Sequence, residues 1–323
     1  MKTKFIITLI SLYSSLGFAQ QIPQYSQYLR NQFLLNPGAT GVYDFLDITL
    51  GGRSQWTGFN NSPGTIYLAM SSPIQKKSSP KFNPSIRISD GLHRNPEINT
   101  GKLKHAFGGL VIADQYGAFR TFHAAGTYAL HLPISDKYNL SFGTKIGLSN
   151  NTFIPDKAKV LSGSPDNSYE TYIANGNSRN IMDLGAGLYF YSKELFVGFS
   201  TDHLTKDFVN FGNQIANFER KMHFNLTAGY KFQLNNDWTL TPAALIKFMK
   251  PAPASIETTL LVEYKEFLWF GASYRIKDAI IGMIGCNVNQ KLKIGYSFDY
   301  SVSRMNHMSS GGHEIILGLM IGR

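Results

Sequence analysis

From 291 to 301 large apolar residues alternate with small or polar ones. Leu292, Ile294, Tyr296, Phe298 and Tyr300 hold one parity; Lys293, Gly295, Ser297, Asp299 and Ser301 hold the other. A period of two puts the two sets on opposite faces of a β-strand. Five large apolar side chains on one face span about 30 Å of strand at ~3.4 Å per residue. Tilted by about 45°, a strand of that length crosses a bilayer core. A Gly/Ser-rich stretch, 304–312, and a second apolar run, 315–321, follow. Together they predict the closing hairpin of a membrane barrel.

The same alternation recurs upstream. Leu46, Ile48, Leu50 and Trp56 oppose Asp47, Thr49, Arg53 and Gln55, and Ile66, Leu68 and Met70 oppose Thr65, Tyr67 and Ser71. Further strands are predicted over 104–114, 119–132, 138–149, 181–191, 194–202, 221–232, 237–249, 256–265, 267–275, 279–288, 291–302 and 313–322. The reading is all-β, a transmembrane antiparallel β-barrel of about 14 strands. The barrel is assigned to 43–323 and a short periplasmic N-terminal segment to 20–42. That segment is polar, aromatic and Pro-punctuated, with Asn36-Pro37-Gly38 as a turn signal.

An outer-membrane barrel of even strand number keeps both termini in the periplasm, with short turns there and long loops outside. The predicted connections sort in that way. Those at 150–180, 203–220 and 303–312 are long, whereas 133–137, Ser192-Lys193, Asn235-Asn236, the bend at Glu266 and Asn289-Gln290 are tight. One connection breaks the rule, since 75–103 falls on the periplasmic side and is long. Counted through Lys104, it holds Lys76, Lys77, Lys81, Arg87, Arg94, Lys102 and Lys104 against Asp90 and Glu97, a net of +5. Such a run is either a solvated insertion or a docking surface. The docking reading takes Tyr25, Tyr28 and Asn36 of the N-terminal segment together with these seven basic residues as partner-binding.

Composition adds the compartment. Lys2 and Lys4 precede an apolar core over 5–16, and Gly17-Phe18-Ala19 supplies small residues for a signal peptidase. A signal peptide over 1–19, cleaved before Gln20, is therefore expected, and with it export to the outer membrane. The apolar core is shorter than the ~20 residues of a helical span. The lone cysteine, Cys286, cannot form an internal disulfide, so this exported chain must be held together by something else, such as a closed β-sheet. Thirteen per cent aromatic residues and 30 glycines agree with β-structure. After loss of Lys2 and Lys4, 29 Lys/Arg face 21 Asp/Glu. That positive balance does not sit on an aromatic or helical reading surface, so no nucleic-acid partner is expected.

Candidate chemistry is sparse. The positions predicted to face inward carry both signs: Arg53, Lys145, Lys231, Lys247 and Lys293 beside Asp47, Asp183, Glu257, Glu263, Asp299 and Glu314. A selective pore uses rings of one sign, so a balanced set predicts a narrow or plugged lumen. His123 and His131 share a face but lie about 27 Å apart along an extended strand, too far to hold one ion. His313 and Glu314 are adjacent and so point to opposite faces. No metal or hydrolase motif occurs, and no cofactor is expected. For an enzyme embedded in the barrel, Ser200 near His203 is the best available pair. Trp56, Trp238 and Trp269, with Tyr189, Tyr191, Tyr264, Tyr274 and Tyr300, are placed in aromatic girdles at the two interfaces.

Three stretches resemble the PorP/SprF family of type IX secretion system outer-membrane proteins. They are Pro23-Gln24-Tyr25-Ser26-Gln27-Tyr28 with Asn36-Pro37-Gly38-Ala39-Thr40-Gly41; Arg53-Ser54-Gln55-Trp56-Thr57-Gly58-Phe59 running into Ser62-Pro63-Gly64-Thr65; and Ile294-Gly295-Tyr296-Ser297-Phe298-Asp299-Tyr300-Ser301 with Ser309-Ser310-Gly311-Gly312-His313-Glu314-Ile315. Gly38 stands where the family commonly has alanine, and Gly311-Gly312 where Gly-Ser is usual. The resemblance implies a non-enzymatic barrel of Bacteroidetes-type outer membranes. It implies as partners the periplasmic ring and motor proteins of the secretion system and an exported adhesin or its C-terminal sorting domain, with a role in gliding motility. The alternative reading is a passive outer-membrane channel for small solutes.

Overall fold

A computed structural model describes residues 23–58, 61–74, 98–158, 178–205, 210–211, 221–249, 252–303 and 309–322. Fourteen antiparallel strands form one sheet: β1 (Leu46–Ser54), β2 (Gly64–Pro73), β3 (Lys104–Tyr116), β4 (Phe119–Pro133), β5 (Asn139–Phe153), β6 (Ser178–Tyr191) and β7 (Leu195–Asp202); then β8 (His223–Tyr230), β9 (Trp238–Met249), β10 (Ser255–Tyr264), β11 (Leu268–Arg275), β12 (Ala279–Asn287), β13 (Leu292–Ser301) and β14 (Gly312–Ile321). Beyond Lys231, Phe232–Gln233 continue β8 in the same register against β9. A two-residue strand, Asn210–Phe211, adds to β6.

Each strand pairs with its neighbours in sequence, and β14 pairs with β1 from Leu46↔Ile321 to Ser54↔His313. The sheet is closed, so no edge offers unpaired backbone groups to lipid. No described helix is long and apolar enough to cross a membrane. The short turns at Ile134, Ser192, Leu234, Lys265 and Asn289 lie at one end of the barrel, here called the turn end. The opposite, loop end carries the connections 154–177, 203–222 and 302–311, together with shorter ones at 55–63, Gly117-Ala118, 250–254 and 276–278. The connection 74–103 falls at the turn end; of it, residues 75–97 lie outside the described residues.

The alternation is read inside out relative to a soluble sheet. In β13, Ile294, Tyr296 and Tyr300 are exposed while Lys293, Ser297, Asp299 and Ser301 are buried. In β5, Ile146 and Leu148 face outward and Lys145 and Ser149 inward. A charge on the lipid face costs about 2–4 kcal/mol at mid-bilayer, which fixes the apolar parity outward.

The interior is filled by the chain's own N-terminal segment. Residues 23–45 fold into three short 3-10 turns, Tyr28–Arg30, Gln32–Leu34 and Pro37–Ala39, lodged in the lumen. Tyr25, Tyr28, Phe33, Leu34 and Leu35 pack there against Tyr67, Leu110, Tyr189, Leu245, Trp269 and Ile316 of the wall. For residues 23–42 this corrects the periplasmic placement expected of 20–42; residues 20–22 lie outside the described residues. A 14-stranded wall leaves more room than its own side chains can fill, and a polar-aromatic segment suits a polar lumen as well as it suits water.

The girdle expectation is corrected in part. Tyr274 and Tyr300 are exposed on the outer face, and Trp238 packs at a tilt against Tyr264 and edge-on against Phe270. Trp269, Tyr189 and Tyr191 instead point inward and are buried.

Candidate functional site

The lumenal segment is held at several levels between the loop end and the turn end. The uppermost anchor is built on β1, β13 and β14, the strands that meet where the barrel closes. Arg53 Nη2 lies 2.7 Å from Asp299 Oδ2, and Arg53 Nη1 lies 3.3 Å from Glu314 Oε2. Ser26 enters this group from the segment. Its N–H donates to Glu314 Oε2 at 2.6 Å, its hydroxyl donates to Asp299 at 2.7 Å, and it accepts from Arg53. Tyr67 OH adds a bond to Glu314 Oε1 at 3.3 Å, and Arg275 approaches Asp299 at 3.6 Å. Two carboxylates around one guanidinium can stay ionised in a buried site only with such donors. Tyr25 packs edge-on against Tyr67, with ring centroids 5.1 Å apart.

Below it, Tyr28 OH donates to Thr259 Oγ1 at 3.2 Å, and Arg30 pairs with Glu263 at 2.9 Å while lying over the Trp269 ring at 4.2 Å. The segment then turns back to mid-barrel. Asn36 caps the turn that follows it: its Oδ1 accepts from Gly38 N–H at 2.7 Å and its Nδ2 donates to the Leu188 carbonyl at 2.9 Å. Pro37 supplies the fixed φ of the first turn position. The turn beds in a trough of side-chainless wall positions. Gly143 and Gly187 face each other across the β5–β6 ladder, with Gly198 on β7 nearby. A Cβ at Gly143 would overlap Pro37 and Gly38, and one at Gly187 would overlap the Asn36 amide. Ser200 Oγ donates to the Leu35 carbonyl at 2.5 Å, joined by Asn225 Nδ2 at 3.3 Å.

At the turn end, His131 Nε2 bonds the Thr40 carbonyl at 2.8 Å, which makes Nδ1 the acceptor for Tyr191 OH at 2.8 Å. Lys104 Nζ then donates to the Val42 carbonyl at 2.9 Å and to Asp44 at 3.1 Å, just before the chain enters β1. The described segment therefore runs from the loop-end half of the lumen to the turn end.

Of the residues expected to bind partners, Tyr25, Tyr28 and Asn36 are buried in the lumen. They contact the wall instead of offering a periplasmic surface. Lys102 is exposed at the turn end. Lys104 is a tether for the segment, because its amine is taken up by Asp44 and Val42. Lys76, Lys77, Lys81, Arg87 and Arg94 lie outside the described residues. Ser200 and His203 do not make a catalytic pair: Ser200 bonds Leu35, and His203 Nδ1 bonds Asp183 at 2.9 Å. His313 and Glu314 do point to opposite faces, with Glu314 buried in the lumen and His313 bonded to Tyr296 OH on the exposed face. No metal-binding cluster of His, Cys, Asp or Glu occurs among the described residues.

Ser26, Arg30 and Trp269 were not singled out as anchors from the sequence. The available signal was that Ser26, Arg53, Asp299 and Glu314 each fall in one of the three stretches carrying the family resemblance. The structure brings those stretches together at one point.

These features define an outer-membrane β-barrel with an occupied lumen. The family model described as type IX secretion system membrane protein PorP/SprF matches residues 17–319, and the chain belongs to that family. No curated protein matches in sequence. Among solved structures, the barrel is similar to the Ralstonia pickettii toluene transporter TbuX, with a TM-score of 0.50 and 11% identity over 90% of this chain and 92% of that one. A Pseudomonas aeruginosa FadL homologue aligns at a TM-score of 0.46 and 11% identity, over 88% of this chain and 92% of that one. At such identities the likeness concerns the fold alone.

Proposed function

We propose that the protein is a non-enzymatic outer-membrane part of the type IX secretion system. In this reading it links periplasmic ring and motor proteins, at the turn end, to an exported adhesin or its C-terminal sorting domain at the loop end, in support of gliding motility. The observation that carries the reading is the family match across nearly the whole chain. The basic stretch 75–104 supports a turn-end docking role through its charge, with exposed Lys102 as its described outpost. Tyr25, Tyr28, Asn36 and Lys104 are not part of that surface, because the lumen occupies them. The segment 1–19 serves as the export signal, and the first residue of the mature protein, Gln20, is to be read by N-terminal sequencing.

The test is in-cell crosslinking from position 102, combined with deletion of 78–100. The deleted protein should still show heat-modifiable migration yet no longer co-purify with the periplasmic protein captured by the crosslink. Undiminished co-purification would remove the docking role. A constitutive solute channel is disfavoured, because the lumen is filled by 23–45.

A further inference from the structure

Four of the buried ion groups of the lumen are made within the wall itself. Arg53 with Asp299 and Glu314, Arg275 with Glu257, Lys293 with Asp47, and Lys145 with Asp202 are pairs in which both partners belong to wall strands. Among the described residues, Arg30–Glu263 and Lys104–Asp44 join segment to wall by charge, and Lys247 lies over the Tyr25 ring at 5.8 Å. Removing the segment therefore strands none of the wall's own paired charges in those four groups.

Hydrogen bonding points the same way. The buried inward hydroxyls of Ser141, Thr241 and Ser297 have no hydrogen-bond partner among the described residues, and neither does the buried Tyr25 OH of the segment. A wall shaped only to hold this segment would satisfy such groups or replace them with apolar ones. The wall is instead a wettable surface that the segment satisfies in part. Ser26, Thr40 and Asn36 bind it through polar contacts that water can replace, which keeps the bound and released states close in hydrogen-bonding terms.

We propose that residues 23–45 are a displaceable plug, and that the barrel without it conducts small hydrophilic solutes and ions. The lining holds both signs, with four of its ion groups paired within the wall, so the open passage discriminates little between cations and anions. This inference is independent of the secretion role and stands or falls on conductance.

The test uses the full-length protein in planar bilayers with potassium chloride, beside two variants. The first lacks 23–42. The second, Gly38→Cys with Tyr189→Cys and Cys286→Ser, can lock the plug, since a Cβ at position 38 would lie 3.1 Å from Tyr189 Cβ, a few tenths of an ångström short of disulfide range. The plug-deleted barrel should give stable conductance steps with a reversal potential near zero in a salt gradient. The locked barrel should stay silent while oxidised, even with urea on the turn-end side, and should conduct in urea once reduced. A heat-modifiable plug-deleted barrel that remains silent overturns the proposal. Should that variant fail to fold, equal conductance of the oxidised and reduced lock in urea overturns it instead.

Discussion

Arg53 on the first strand reaches Asp299 on the thirteenth at 2.7 Å, with side chains only 2% and 6% exposed. The same guanidinium holds Glu314, on the last strand, so one cation serves two buried carboxylates across the seam where the barrel closes. Replacing it should cost about 3–5 kcal/mol, the usual penalty for leaving a buried charge without its partner. Asp299 retains Arg275 at 3.6 Å, so most of that loss falls on Glu314. Arg53→Met should therefore lower the temperature at which the barrel loses its fast-migrating folded form on gels. Adding Glu314→Gln should restore much of it, whereas adding Asp299→Asn should restore less.

The glycine trough gives a sharper test, because the wall offers matched controls. A methyl at Gly187 meets the Asn36 side chain, and a methyl at Gly143 meets the backbone of Pro37 and Gly38. At Gly126 and Gly282 an added Cβ meets nothing within 4 Å. Gly143→Ala and Gly187→Ala should each cost about 1–3 kcal/mol as overpacking and expose the segment to protease. Gly126→Ala and Gly282→Ala should leave both heat modifiability and protease resistance at wild-type level.

The barrel was legible in the chain because a period of two, locked by lipid outside and polar side chains inside, repeats in nearly every strand. The alternation of Leu292 to Tyr300 gave the strand, and its apolar parity is the exposed one. The plug was not legible, because residues 23–45 have no period to read and their composition suits water equally well. Trp269 shares parity with Gly271, Ser273 and Arg275, and Tyr189 with Asp183, Gly185 and Gly187. Those are inward parities, and at these positions parity outranks the interfacial preference of aromatic rings. Ser26 carried no pattern of its own; only the convergence of distant stretches on one ion group reveals it.

Lys102 and Lys104 sit two residues apart and should behave differently. Lys104 is mostly buried against Asp44 and the Val42 carbonyl. Lys104→Ala should therefore weaken the tether of the segment by about 1.5–3 kcal/mol, the range for hydrogen bonds to charged groups, and appear as a loss of thermal stability. Lys102 is exposed. Lys102→Glu, combined with Lys76→Glu and Lys77→Glu, should leave stability unchanged and reduce capture of the periplasmic partner. The remaining capture should depend less on salt, since exposed charges are screened over about 10 Å at 0.1 M. Equal loss of stability from both sites would mean that Lys102 is also taken up by the fold.

Trp269 offers a way to separate packing from charge at the Arg30 anchor. Its ring is buried, lies under the Arg30 guanidinium at 4.2 Å, and fills space that side chains at Gly285 and Gly295 would otherwise contest. Trp269→Ala removes the ring and opens a cavity, for which about 3–5 kcal/mol is expected. Trp269→Phe keeps an aromatic face of smaller quadrupole and should lose far less. The cation–π share, about 0.5–2 kcal/mol depending on desolvation, is isolated by a double-mutant cycle of Trp269→Phe with Arg30→Met. Because Arg30 also pairs with Glu263 at 2.9 Å, the cycle should be repeated in a Glu263→Gln background. A coupling energy that survives there belongs to the ring and the cation. One that vanishes there would assign the anchor to the ion pair, leaving Trp269 as filler of the wall.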